Sequence, residues 1–390
     1  MKISKKQLVV LFLCNLVFWI VGNGLLPLLP VYAENLGADA LVAGLYLAGS
    51  YVAIAAGALS ASWISGSRLR HKLPLIFGSL LAVPLVYMMG RVTSLWGLSL
   101  VTVLLWYIGG LGLALSMILT GLSAGREERG KVFGILGLTS GLGAVLGGLG
   151  SGWLVKGWGF PTMFSALAIF MLLGAVAALF LEEQQAQRTQ HETAPSPLGR
   201  RYFLLFSAGI LVAVGGFMIF LIRSLAMHGL GFDALEISST GVVGGLISFP
   251  APFVMGWLSD RIDRKKVLMC GYLASIIGLI LLAFANQLWH FWLVSIFVGI
   301  TASASGSAGN ALVTDLVSSG SIGKGLALFN ATAWIGGIIG FALGGIMLQK
   351  MNLSLCCYLG GVIVIAAVGL LIPLRSSRQL LLQDPLKPAG

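Results

Sequence analysis

Polar side chains are scarce in this 390-residue chain, and their placement decides which chemistry is open to it. All 13 acidic residues fall in polar stretches or at the edges of apolar runs. Arg223 is the basic residue that lies within an apolar run. A charge at the centre of a bilayer costs about 2.5–3.5 kcal/mol on insertion scales. Arg223 therefore reads either as an anchor for an anionic group or as a side chain that reaches to the nearer interface along its aliphatic stem, the second being the ordinary expectation. The other polar groups suit hydrogen bonding to a solute. Asn15 and Asn23 stand eight apart, about two helical turns and near one face. Asn310 sits in a Ser-rich run, and Asn330 is followed by Trp334. Trp106-Tyr107, Tyr46 and Tyr51 offer aromatic surface to an apolar or planar solute. Each has a plainer reading, as packing or as an interhelical hydrogen bond of about 0.6 kcal/mol. His228, near the edge of a run, is expected to be an exposed interfacial histidine. No nucleophile–base pair or phosphate-cradling loop stands in suitable context, and Cys14, Cys270, Cys356 and Cys357 show no metal spacing. An enzyme is not expected, and no cofactor or metal is implied.

The elements that must position these groups are helices. With 57% hydrophobic and 9% charged residues, the chain holds twelve uncharged or nearly uncharged stretches long enough to span about 30 Å of hydrocarbon. They run over 8–31, 41–64, 73–90, 95–119, 132–155, 160–181, 203–228, 238–258, 267–285, 289–314, 325–348 and 353–374. Backbone amides in lipid must be satisfied within the segment, and no alternating barrel pattern appears, so the expectation is an all-α membrane protein. If the N-terminus is cytoplasmic and the spans alternate, every Lys and Arg except Arg91, Lys156, Arg223 and Lys350 falls on the cytoplasmic side. That asymmetry predicts cytoplasmic termini in a multi-pass cell-membrane protein. The net charge of +11 is thus topological and gives no reason to expect nucleic acid. Lys2, Lys5 and Lys6 before an apolar run, with Val31-Tyr32-Ala33 after it, imitate a signal peptide, but the run is too long for one and is expected to stay as the first helix.

The chain also repeats itself. Leu36-Gly37-Ala38-Asp39-Ala40-Leu41 returns 194 positions later as Leu230-Gly231-Phe232-Asp233-Ala234-Leu235. Gly57 returns as Gly256, and Gly143-Ala144-Val145-Leu146-Gly147-Gly148 as Gly340-Phe341-Ala342-Leu343-Gly344-Gly345. Six spans separate the copies, so both halves insert with the same polarity, a known transporter plan. The expected organisation is a six-helix bundle at 1–181, a cytoplasmic linker at 182–202, a second six-helix bundle at 203–374 and a tail at 375–390.

Between spans eight and nine the sequence reads Gly256-Trp257-Leu258-Ser259-Asp260-Arg261-Ile262-Asp263-Arg264-Lys265-Lys266. A glycine followed four residues later by Asp-Arg and then a basic cluster resembles the signature loop of the major facilitator superfamily. The resemblance implies a gate at the cytoplasmic seam, in which Gly256, Asp260, Arg261, Arg264 and Lys265 favour one state by meeting basic groups and a helix N-terminus of the other half, near Gly130-Lys131. A carboxylate at a helix N-terminus is stabilised by about 0.3–1 kcal/mol when exposed. The first-half copy keeps Gly57 and the positive charges of Arg68, Arg70, His71 and Lys72, but Ala61 stands where the aspartate is expected. Asp263 likewise replaces a usual glycine. Span five, with Gly130, Thr139, Gly143 and Gly147, resembles the antiporter signature of this superfamily's exporters, with Thr139 and Ala144 in place of a glycine and a proline. The end of span one, Gly24-Leu25-Leu26-Pro27-Leu28-Leu29-Pro30, is similar to twelve-span drug and metabolite exporters, and its prolines should kink the helix. Trp106 stands where related proton antiporters often carry an arginine.

These residues predict a transporter with its small-molecule substrate held between two rocking halves. The resemblance favours efflux of an amphipathic or drug-like molecule by a monomer, with protons a candidate coupling ion, although no mid-span carboxylate supports a relay. Three alternatives stay open: a facilitator or importer of a neutral sugar- or amino-acid-like solute, a lipid or lysolipid translocator, and a non-transporting sensor.

Overall fold

The computed structural model describes residues 3–66, 71–124, 128–182 and 197–374, and among them there is no strand. Arg68, Arg70, most of the 182–202 linker and the 375–390 tail lie outside the described residues. The helices are α1 (Lys5–Leu25), α2 (Leu29–Asn35), α3 (Ala40–Gly66), α4 (Lys72–Met89), α5 (Leu95–Ser123), α6 (Arg129–Leu179), α7 (Arg200–Gly229), α8 (Ala234–Ile247), α9 (Pro250–Arg261), α10 (Arg264–Ala283), α11 (Leu288–Ala304), α12 (Asn310–Leu316), α13 (Ile322–Lys350) and α14 (Leu353–Leu371). Ten segments among the described residues are long and apolar enough to cross a membrane, and an eleventh forms if the bent pair α8–α9 is one span.

The duplicated hexapeptide is a helix stop followed by a helix start. Gly37 has φ +90° and Gly231 has φ +84°, the left-handed region that glycine enters without a Cβ penalty. Ala38 N–H donates back to Ala33 O at 3.0 Å, and Phe232 N–H to Met227 O at 3.1 Å, so each copy closes the preceding helix by the same bond. Asp39 Oδ1 then accepts from Val42 N–H at 2.8 Å, and Asp233 Oδ1 from Glu236 N–H at 2.9 Å, opening the next helix. Glu236 Oε2 in turn accepts from Asp233 N–H at 2.8 Å, which completes a capping box in the second copy. Prolines act at the other breaks. α1 stops at Leu25 and α2 begins with Pro30 in its first turn; α8 and α9 meet at a 40° bend with Pro250 opening α9.

By contact, the chain divides into two compact units, Met1–Arg188 with Ser224–Leu246, and Thr189–Arg223 with Ile247–Gly390. In the first, α6 is 51 residues long, about 76 Å at 1.5 Å per residue, far more than a bilayer accepts. It breaks at Gly159, with φ +80° and ψ 173°. Its two arms run in opposite directions along α1. Asn15 Nδ2 donates to Thr139 Oγ1 and Asn23 Nδ2 to Ser140 O on the first arm, while Cys14 lies against Gly174 O and Gln7 against Glu182 on the second. α6 is therefore a hairpin of two spans, as the separate runs at 132–155 and 160–181 predict. Tyr32 of α2 packs on Phe160 and Phe164 just past the turn and donates to Met89 O at 2.9 Å. α3 and α5 cross through small residues: a Cβ on Gly57 would collide with Tyr107 O, and one on Gly110 with Ile54 O. α8 packs on the first arm of α6, where Gly148 and Gly152 meet Val242, Ser238 and Leu235.

In the second unit, α13 packs on α7 as the first arm of α6 packs on α1. Gly336 and Gly340 face Ala213, Val214 and Phe217 as Gly143 and Gly147 face Trp19 and Ile20, so the packing aligns the copies at an offset of 193 where the sequence repeat pairs Gly143 with Gly340. α10 lies between α11 and α14, and its first turn is capped by Asp263, whose carboxylate accepts from Lys266 N–H at 3.2 Å. That cap is the physical use of the aspartate that replaces a glycine. Cys14, Cys356 and Cys357 are buried packing residues, and Cys270 is exposed.

Candidate functional site

The second unit holds a cavity of about 380 Å³. Its longest wall is one face of α7, where Gly209, Val212, Ala213, Gly216, Phe217 and Phe220 recur at three- and four-residue spacing. α11 supplies Val298, Thr301 and Ala302, and the segment that follows it supplies Ser305 and Gly306. α10 contributes Ser275, and α13 contributes Phe329, Asn330, Thr332 and Ala333.

The lining is mostly apolar, and its hydroxyls are largely committed. Thr301 Oγ1 donates to the helix-backbone carbonyls of Gly271 and Phe297, and Thr332 Oγ1 to that of Phe329. Ser275 Oγ is buried without a partner among the described residues. The wall at Ser305–Gly309 is one turn of π-helix, which widens the backbone and re-aims side chains at a place where such turns often serve function. Asn310 follows it; its Nδ2 donates to Gly306 O at 2.8 Å, and its Oδ1 is buried without a partner among the described residues. A chamber of this kind binds by excluding water from apolar surface and offers few directional contacts.

The solute-facing candidates from the sequence are not gathered in one place. Asn330 lines the cavity, with Nδ2 bonded to Leu326 O at 2.9 Å, and Trp334 follows one residue after the lining Ala333. Asn15, 1% exposed, and Asn23 join α1 to α6 inside the first unit. Tyr46 shares a 2.8 Å hydrogen bond with Thr102, Tyr107 donates to Ser60 Oγ at 3.0 Å, and Tyr51 is buried. Trp106 packs beside Gly22, with its indole Nε1 buried and unpartnered among the described residues. The lining residues Phe217, Phe220, Ser275, Thr301, Phe329 and Thr332 were not singled out. A signal existed: subtracting 194 carries Gly209 and Phe217 onto Asn15 and Asn23, so the face chosen on span one is the repeat mate of the cavity face of α7.

Arg223 is buried within the second unit. It is 2% exposed, so protein, not lipid headgroup or water, surrounds its charge. Nη1 donates to Ser295 Oγ at 2.7 Å, and the guanidinium lies over the Phe220 ring, 4.8 Å from its centroid. His228 keeps a side chain 39% exposed and has a partner besides: its Nδ1 stands 2.9 Å from Glu34 Oε2, which joins repeat-related positions 194 apart.

The candidate gating loop forms the α9–α10 junction. Asp260 is 70% exposed, 3.7 Å from Arg264 one turn on. Arg264 is held more closely by Asp315 and by Ala311 O, tying α10 to α12. Lys265 donates to Ile372 O and Leu374 O at the end of α14. Arg261 lies over the Trp257 ring, and a Cβ on Gly256 would meet Ser307 at ordinary contact distance. Gly143 and Gly147 are packing glycines, where a Cβ would strike Trp19 and Ile20.

Near Lys156 the carboxylate of Asp233 is 2.7 Å from the ammonium. Partial burial raises the Asp233 pKa, but the Lys156 hydrogen bond and charge, with the Glu236 and Leu235 amides, outweigh it and leave the group below its usual range.

The sequence profile described as Major Facilitator Superfamily matches residues 11–222 and 205–388. The chain is 26% identical over 334 residues to a multidrug resistance protein MdtG of Klebsiella pneumoniae, covering 80% of this chain and 76% of that one. It is 28% identical over 170 residues to a multidrug resistance protein MdtH of Yersinia pestis, a match spanning 43% of this chain and 42% of the relative. Among solved structures, a bacterial homolog to the human lysosomal transporter Spinster superposes with a TM-score of 0.77 at 15% identity, covering 99% of this chain and all of that one. A POT family transporter in complex with 5-aminolevulinic acid gives a TM-score of 0.78 at 13% identity over 96% of both.

Proposed function

The chain belongs to the major facilitator superfamily, a family of membrane transporters and not of enzymes, and on that premise we propose that it exports an amphipathic or drug-like molecule by alternating access. The observation that carries the reading is the 380 Å³ cavity with its apolar and aromatic wall, which suits a solute recognised by shape and apolar surface. Relatives named as multidrug resistance proteins agree with it. The same proposal puts the protein in a bacterial inner membrane as a monomer with both termini cytoplasmic, as two six-helix bundles at 1–181 and 203–374. Asn330, Trp334 and Asn310 join the cavity lining as solute contacts, Asn15, Asn23, Tyr46, Tyr51, Trp106 and Tyr107 form the corresponding surface of the first bundle, and Asp260 with its basic neighbours acts as the gate.

The test is flux. Proteoliposomes containing the purified chain should move an amphipathic dye, the basic bis-benzimidazole or the acidic anilinonaphthalene sulfonate, whose fluorescence falls as it leaves the bilayer, faster than protein-free vesicles. An imposed pH gradient should accelerate that movement if protons drive it. Dye movement equal to that of empty vesicles would sink the export reading, and flux that follows the dye gradient alone would replace antiport by facilitated diffusion.

A further inference from the structure

Arg223 is the largest fully buried side chain of the described residues, and its charge has no counterion within 4 Å among them. A guanidinium does not shed its proton to escape burial, so it must be solvated by something. Carboxylates of the neighbouring helix ends are committed elsewhere: Asp233 and Glu236 to each other and to Lys156, and Glu34 to His228, five residues on from Arg223. Ser295 takes one hydrogen bond from Nη1. Nε and Nη2 are buried and have no partner among the described residues. Those two nitrogens share one edge of the planar group, the edge that a carboxylate or phosphate grips with two parallel hydrogen bonds.

The position of that edge ties it to the cavity. Phe220, beneath the guanidinium at 4.8 Å, is a lining residue one turn before Arg223 on α7. Ser295 stands one turn from the lining Val298 on α11. Side chains of a helix lean toward its N-terminus, so a long one at 223 runs back toward the level of Phe220. The guanidinium therefore lies just behind the end of the chamber defined by Phe220 and Val298, next to its wall and not among its lining residues.

We propose that Arg223 is the headgroup anchor of an anionic amphiphile whose apolar body fills the cavity. The inference rests on the reading of the cavity as a solute site and narrows its chemistry to a carboxylate, sulfonate or phosphate on an apolar frame, from a soluble organic acid or a single-chain lipid. Buried polar groups are retained in natural proteins with partners, and here the partner is the cargo.

The test compares two probes of equal shape, pyrenebutanoate and pyrenebutanol, binding to the purified full chain in an uncharged maltoside detergent, read by energy transfer from tryptophan. The carboxylate should bind at least about tenfold tighter than the alcohol, the scale of one charge-assisted contact. Arg223→Gln should bring the carboxylate down to the affinity of the alcohol, a loss of selectivity that a purely structural arginine would not produce. Arg223→Lys should keep part of the preference. The wild-type comparison stands alone if either variant fails to fold. Equal affinities in the wild type, or a preference that survives Arg223→Gln, would overturn the proposal. Binding of neither probe would overturn the cavity reading and this proposal with it. Displacement of pyrenebutanoate at lower concentration by lysophosphatidate than by naphthoate supports a lipid source, and the reverse order supports a soluble acid.

Discussion

Asp39 and Asp233 perform one task 194 positions apart, each capping the helix that follows a left-handed glycine. Asp233 carries a second load, the ion pair with Lys156, and the two can be separated by substitution. Asparagine caps about as well as aspartate, whereas alanine loses about 1 kcal/mol. Asp233→Asn should therefore unfold near the wild-type temperature in detergent, and Asp233→Ala clearly below it. A larger loss in the Asn variant than the capping difference would move the weight from the cap to the ion pair. The pH dependence has a definite sign. The folded carboxyl lies below its usual value, so the unfolded chain binds more protons in the window between the two. The pair's contribution is complete above the ordinary aspartate pKa of about 3.9 and fades as pH falls through the folded value. The gap between wild type and Asp233→Asn should close on acidification. Arg223 shows the limit of residue-scale reading from sequence: its position in an apolar run is visible, but snorkelling and burial differ only in which neighbours surround it. Ser295, 72 positions away, decides that.

At the scale of elements, close approach sets a sharp contrast between neighbouring glycines. A Cβ on Gly110 would strike Ile54 O across the α3–α5 crossing, whereas one on Gly109 meets nothing within 4 Å. Gly109→Ala should stabilise the protein by up to about 1 kcal/mol through helix propensity. Gly110→Ala should destabilise it by about 1–3 kcal/mol through overpacking. Thermal unfolding of both variants in one detergent checks the pair, and shifts of the same sign would mean that the crossing is looser than described. This pattern was legible only in part. Apolar length gave the spans, because bilayer thickness fixes how many residues a helix needs. The turn at Gly159 was legible as the gap between the runs at 132–155 and 160–181, although α6 carries helical structure up to it on both sides. Which face of a span looks into the cavity was not legible, since α7 is apolar all round and its lining stripe differs from its packing stripes by partner and not by polarity. The asparagines of α1 drew attention to the right face of the wrong copy for the cavity seen in the second unit.

Across the whole molecule, one count governs topology. α6 turns back at Gly159 and supplies two spans, which leaves α8–α9 as the deciding pair. A helix bent by 40° at Pro250 can be one interrupted crossing or a re-entrant excursion. The sequence repeat favours a crossing: α8 starts from the same glycine–aspartate turn as α3, and α3 is an unbroken helix of span length. Prolines inside a span are tolerated where neighbours satisfy the freed carbonyls, so Pro250 and Pro252 do not exclude it. An interrupted crossing makes the span number even and puts both ends of the chain on one face; a re-entrant pair makes it odd and puts them on opposite faces. Single cysteines added at the two ends, in a background lacking Cys14, Cys270, Cys356 and Cys357, should react alike with an impermeant maleimide in right-side-out and in everted vesicles. The basic residues around 261–266 predict the everted preparation as the one in which both are labelled, because short loops rich in Lys and Arg stay in the cytoplasm. Labelling of one end in each preparation would make α8–α9 re-entrant and break the two-fold repeat on which the paired bundles depend.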